Sequence, residues 1–171
     1  MRRPGKNRKG DLSASAGNPL ELAIGMLARR PLSEGEVALR LARKGFAEPD
    51  IAPALVRLRE LGLLDDEALC RQLVRSYQEG RGYGPGKIAW KLAQRRFPRG
   101  LIAAALREGS PPEAVADAAG AALRKKYRGA IPPGREGAAK AYRFLAGRGF
   151  PPDACREAVG RRWAENSEGD G

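Results

Sequence analysis

Basic side chains recur at fixed distances from three phenylalanines, and they are the residues of this chain best suited to bind a partner. The position two residues before each phenylalanine is always basic, and the position six before is basic in two of three copies. In the middle copy Lys87, Lys91 and Arg95 recur every four residues and form one helical stripe. This stripe predicts a positive ridge facing away from apolar Ile88 and Leu92, and stacked copies would join their ridges into a band. The candidate partner-binding residues are Arg40, Lys44, Lys87, Lys91, Arg95 and Arg148.

A solvated helix face is the competing interpretation of these charges, since most charged helical positions only face water. Two aromatic residues, Tyr83 and Trp90, lie near the same ridge and are candidate anchors for a partner. Trp90 occupies the repeat column of Leu39 and Arg143, so the repeat predicts neither burial nor exposure for its ring.

The sequence gives little evidence for catalysis or for cofactor binding. The chain has no histidine, which excludes His-based catalysis and His metal ligation. The glycine-rich stretch Gly80 to Gly86 is expected to link two helices, so it is a weak phosphate-binding candidate. Asp65 and Asp66 could serve as paired acid–base carboxylates, but their place at a predicted helix start is explained by capping. We therefore expect a protein that is not an enzyme and holds neither a cofactor nor a metal.

The net charge of +12 favours a polyanionic partner, although a compositional bias towards Arg, Ala and Gly would also raise the charge. Cys70 and Cys155 fall at apolar helical positions, where cysteine acts as a small hydrophobe. Neither a signal peptide nor a run of about 18 apolar residues is present. We expect a cytoplasmic protein without membrane contact.

Apolar periodicity predicts an all-α chain with three helices in each of three units, at residues 19–64, 65–109 and 110–163. A disordered basic tail is predicted before the first unit, at residues 1–18, and a frayed tail from Ala164 to the end. The helix beginning after Ser33 carries a capping-box signature, because Glu36 follows three residues later.

Superposing the chain on itself shows that the three units are copies of one repeat. Phe46, Phe97 and Phe150 are separated by 51 and 53 residues, and four further columns match around them. The matching columns are Leu41, Leu92 and Leu145; Ala42, Ala93 and Ala146; Ile51, Ile102 and Cys155; and Leu55, Leu106 and Val159. Each unit is thus predicted to contain two helices that meet at a phenylalanine corner, preceded by a third. Stacked units are expected to bury one continuous core.

The middle unit resembles the RecX family of bacterial regulatory proteins. The resemblance is carried by the GLLDD stretch ending at Asp66, a helix with Arg71 and Arg75, and a glycine-rich turn followed by Lys87-Ile88 and Leu92. It extends over residues 19–163 and is most specific over 55–108. Arg96 departs from the family pattern, standing where glycine is common before the apolar corner.

The resemblance implies three tandem three-helix repeats in an elongated, curved array. It also implies a protein that binds the RecA–DNA filament and limits its growth, recombinase and coprotease activities, and so modulates homologous recombination, DNA repair and the SOS response. We expect the chain to be a monomer. DNA is a further candidate contact for the basic ridge. The alternative function is a stand-alone DNA-binding protein of the helix-turn-helix kind, because three-helix units with a basic second helix are typical of that class.

Overall fold

The computed structural model describes residues 17–128 and 131–168, and these residues form helices and no strand. The bounds are α1 Pro19–Leu27, α2 Glu34–Arg43, α3 Glu48–Glu60, α4 Asp66–Arg81, α5 Pro85–Gln94, α6 Arg99–Gly109, α7 Pro112–Lys126, α8 Gly134–Gly147 and α9 Pro152–Glu168. Three helices fall in each predicted repeat, so the all-α tandem-repeat fold is confirmed. No helix in the described ranges combines the length and the apolar character needed to span a bilayer.

The chain divides into two compact units, Met1–Asp66 and Glu67–Gly171. The first unit holds α1 to α3, and the second holds the helices of the second and third repeats. The boundary falls at the start of α4, close to the predicted end of the first repeat at residue 64.

The start of α2 is fixed by a complete capping box, as the sequence predicted. The buried Ser33 hydroxyl accepts a hydrogen bond from the Glu36 amide at 3.1 Å, and the Glu36 carboxylate accepts one from the Ser33 amide at 3.0 Å. The Asp66 carboxylate also accepts a bond from the Glu34 amide at 2.9 Å. Asp66 thus begins α4 as predicted, but its side chain also satisfies the first turn of α2.

Each repeat turns its phenylalanine corner in the same way. The Phe46, Phe97 and Phe150 amides donate to the carbonyl of the leucine five residues earlier, at 3.3, 3.3 and 3.2 Å. The residue before each phenylalanine has a positive φ, and its amide donates to the carbonyl three residues back. This is a Schellman motif, in which an apolar contact joins the residue after the turn to the last helical turn. The recurring spacing of leucine and phenylalanine in the three copies is therefore the geometry of a helix C-terminus.

Three hydrophobic clusters, one in each three-helix repeat, make up the core of the described residues. Leu41, Leu92 and Leu145 lie in different clusters, and each is fully buried. The prediction of one continuous core is therefore wrong. Each repeat encloses its own apolar side chains between its three helices.

Two predicted boundaries differ from the structure. Only Gly82 to Gly84 of the expected loop Gly80 to Gly86 lie outside helices, because α4 continues to Arg81 and Pro85 begins α5. Proline suits this first helical position, since its missing amide hydrogen has no partner there. At the other end, α9 continues past the predicted end at Trp163 to Glu168. The predicted tail at 1–18 lies outside the described residues, except for Gly17 and Asn18, whose side chain caps α1.

Candidate functional site

On helix α5 the basic stripe of the second repeat lies beside the buried face and does not face away from it as predicted, because Lys87 and Lys91 each directly precede a buried residue and are about 100° from it around the helix. Ile88 and Leu92 are fully buried in the core of this repeat, as the spacing predicted. The side chains of Lys87, Lys91 and Arg95 are half-buried. Their aliphatic stems therefore cover part of the helix surface while their charged ends remain within reach of solvent.

Among the described large apolar side chains, Trp90 is the most exposed, with 53% of its full area accessible. The Lys87 Nζ lies 5.3 Å from the centre of its ring, and the Lys91 Nζ lies 5.4 Å from it. These distances are within the range of cation–π contacts. The repeat left the position of this ring open, and the structure places it in solvent between two ammonium groups.

Arg95 extends the stripe by one turn, at the C-terminal end of α5. It is the capping residue of the helix, and its guanidinium lies 5.8 Å from the ring centre of the buried Phe97. A cation at a helix C-terminus interacts favourably with the carbonyl dipoles there. The basic character of this repeat position therefore has a structural explanation beside the binding one.

In the first repeat, too, the basic residues can be explained either by partner binding or by their place at a helix C-terminus. Arg40 is half-buried in the last turn of α2, and Lys44 is the exposed capping residue of that helix. Both belong to the unit that ends at Asp66, whereas the other four candidates belong to the second unit. The continuous band of ridges stays a prediction.

Arg148, the matching residue of the third repeat, makes contacts inside the protein. Its guanidinium donates to the carbonyl of Arg81 at the end of α4 and lies 6.0 Å from the ring centre of Tyr83. The guanidinium also lies 4.5 Å from the ring centre of Phe144. The Lys126 ammonium lies 4.2 Å from the same ring centre. The side chain thus joins the second repeat to the third, and Tyr83 is held in the same contact.

The glycine-rich turn before α5 meets the phenylalanine corner of the third repeat. The Gly84 amide donates to the Arg148 carbonyl at 2.8 Å, and the Gly86 amide donates to the Gly149 carbonyl at 3.0 Å. A Cβ on Gly84 would lie 2.6 Å from the Phe150 nitrogen, so only glycine permits this approach. The amides that a phosphate would need are already bonded, which argues against the weak phosphate site considered for Gly80 to Gly86.

This contact between repeats is a structural feature of the site region that the sequence did not predict. A signal for it was present, because Gly82, Gly84 and Gly86 precede α5 and the third corner carries Gly147 and Gly149. Glycines permit a close approach of two backbones, and Gly84, Gly86 and Gly149 are the ones that meet backbone atoms here. No cluster of three or more carboxylate or thiol side chains able to hold a metal ion occurs in the described part of the chain.

Family comparisons match the three repeats in chain order. A family described as "RecX, first three-helix domain" matches residues 20–58. The second three-helix domain of RecX matches residues 65–106, and the third matches residues 113–159. The matched segments correspond to α1 to α3, α4 to α6 and α7 to α9.

Individual relatives agree with this match. The chain is 37% identical to "Regulatory protein RecX" of Pseudomonas putida over 133 residues, which cover 77% of this chain and 82% of the relative. The corresponding protein of Thermus thermophilus is 37% identical over 139 residues, covering 81% of this chain and 88% of the relative.

Solved structures give the same fold. The crystal structure of RecX from Lactobacillus salivarius superposes with a TM-score of 0.71 at 19% identity, covering 84% of this chain and 93% of that one. A second crystal structure, of "regulatory protein RecX", superposes with a TM-score of 0.64 at 26% identity, covering 80% of this chain and 67% of that one. The chain belongs to the RecX family.

Proposed function

We propose that this chain is a regulatory protein that binds the RecA–DNA filament, inhibits its recombinase and coprotease activities, and so modulates homologous recombination and DNA repair. The observation that carries the proposal is the match of all three RecX domains, in order, over most of the chain. We further propose that it acts by binding rather than by catalysis, as a monomer in the cytoplasm.

The surface of α5 supports a partner that carries negative charge. Between Glu79 and Glu108 the chain has seven basic and no acidic residues, a net charge of +7. The stripe of Lys87, Lys91 and Arg95 lies in this segment. A nucleoprotein filament offers both phosphates and acidic protein side chains to such a surface.

The test is the effect of the full chain on ATP hydrolysis by RecA assembled on single-stranded DNA. We expect hydrolysis to slow as the chain is added, both before and after filament assembly. Unchanged hydrolysis at saturating protein would refute the proposal. The titration also separates two modes: inhibition complete far below one chain per RecA indicates capping of filament ends, while inhibition that needs comparable amounts indicates binding along the filament.

A stand-alone DNA-binding function makes a different prediction. It requires tight binding to bare duplex DNA that depends on base sequence and on salt. Binding that is weak and independent of sequence, together with inhibition of the filament, would favour the regulatory function.

A further inference from the structure

We propose that Trp90, Lys87 and Lys91 form a contact site for single-stranded nucleic acid, with the indole ring stacking on a base and the two ammonium groups binding phosphates. The site would give the proposed regulatory protein a direct contact with DNA, and its role at a filament rests on that proposed function. Its test uses bare strands without recombinase, so the two proposals can fail separately.

Exposure of the ring is the first observation behind the site. Trp90 leaves 53% of its area accessible, although α5 buries Ile88 and Leu92 completely. An apolar ring of this size in solvent has no role in the core of its own repeat. Aromatic side chains in basic surroundings are the usual stacking platforms of proteins that bind single strands.

The two lysines are the second observation. Both ammonium groups lie within 5.4 Å of the ring centre, and among the described contacts neither pairs with a carboxylate. They are one helical turn apart, about 6 Å along the axis, so they can contact neighbouring phosphates of one strand. Cation–π contacts at exposed positions are weak, so phosphates can draw the ammonium groups away from the ring.

The charge around the site favours nucleic acid over an acidic protein surface. The nearest acidic residues in sequence are Glu79 and Glu108, so no carboxylate of this segment repels a phosphate backbone. Stacking on a base needs an accessible ring with cations close to it, and at Trp90 two ammonium groups lie over a side chain that is 53% exposed. An acidic protein surface could also use the indole as an anchor, but it would have to bury the ring in a desolvated pocket together with the two neighbouring ammonium groups.

The experiment measures binding of the full chain to fluorescently labelled oligothymidylate and to an abasic strand of the same length, by anisotropy. Trp90→Ala should weaken binding to oligothymidylate by about fivefold or more, since a stacked base contributes at least ~1 kcal/mol, and should leave binding to the abasic strand unchanged. Trp90→Phe should restore most of the affinity. Val56→Ala is the matched control, because Val56 is an exposed apolar residue, at 44%, on another helix.

The lysines are tested by the salt dependence of the same binding. Lys87→Ala with Lys91→Ala should reduce the slope of log affinity against log salt by about 1.4, since each phosphate contact on a single strand contributes ~0.7. Equal weakening of both strands by Trp90→Ala, or no effect of it on either, would overturn the stacking site. Loss of RecA binding by Trp90→Ala with unchanged strand binding would also overturn it, and would assign the ring to a protein surface.

Discussion

Replacing Gly149 with alanine should disrupt the contact between the second and third repeats. Gly149 has a φ of +83°, and a Cβ there would lie 2.1 Å from the Lys87 nitrogen. Gly45 is the matched control, because it occupies the same corner position with a φ of +94° and has open space around its missing Cβ. The pair separates backbone strain from the cost of breaking the contact.

The expected free energies follow from these geometries. A left-handed residue other than glycine costs ~1–2 kcal/mol, and the stiffer unfolded chain offsets ~0.4–1 kcal/mol of this. Gly45→Ala should therefore lower the free energy of unfolding by about 0.5–1 kcal/mol. Gly149→Ala should also displace the Gly84 and Gly86 hydrogen bonds, of 2.8 and 3.0 Å. Each contributes roughly 0.5–1.5 kcal/mol, so the total loss should be about 1.5–4 kcal/mol.

Two measurements test this difference. Urea unfolding followed by far-ultraviolet circular dichroism gives the change in free energy for each variant. Amide hydrogen exchange by NMR should show lost protection at Gly84 and Gly86 in Gly149→Ala, but not in Gly45→Ala. Equal destabilisation by the two substitutions, or unchanged protection of these two amides, would refute the assignment of Gly149 to the contact between repeats.

Three further substitutions test the corner, the cap and the core. Arg96 has a φ of +62°; Arg96→Gly should relieve this strain and raise the free energy of unfolding by about 0.5–1 kcal/mol, and a lower melting temperature would contradict it. Ser33→Ala removes the capping box and should destabilise the protein by about 1 kcal/mol; an unchanged urea midpoint would show that the box is not needed. Burial raises the pKa of the Cys155 thiol, against a smaller opposing effect of Arg156. Above pH ~8.5 the unfolded chain releases this proton while the folded chain keeps it, so stability should fall as pH rises. Cys155→Ala should reduce that fall, and equal pH profiles would argue against this cause.

The fold was predictable where a local signal determines the structure. Leucine and phenylalanine five residues apart mark a helix C-terminus in every copy, and Ser33 with Glu36 marks a helix start. The three-helix repeats followed from these signals. The separation of the core into three clusters did not, because helical periodicity shows which face is buried but not which partner buries it.

The candidate site was predictable only in part, for the same reason. The spacing correctly predicted the burial of Ile88 and Leu92, but Lys87, Lys91 and Arg95 are half-buried beside them and do not face away from them. By its repeat position Arg148 was predicted to be the equivalent of these basic residues. Its guanidinium instead contacts the end of α4, because the turn before α5 packs against the phenylalanine corner of the third repeat. Contacts between repeats depend on tertiary structure, so a column of matching residues does not reveal them.

Cosedimentation with RecA assembled on single-stranded DNA tests most directly whether the basic side chains of α5 bind the recombinase filament. The test variant carries Lys87→Glu, Lys91→Glu and Arg95→Glu. The control variant has the same change in net charge from reversals at exposed positions outside α5 and its basic segment, which are Arg29→Glu, Arg128→Glu and Arg135→Glu.

We expect the wild-type chain and the control to sediment with the filament, and the α5 variant to remain in the supernatant with unchanged helicity by circular dichroism. Cosedimentation of the α5 variant at wild-type levels, or a loss of helicity that accompanies its release, would contradict the claim that these side chains bind the filament.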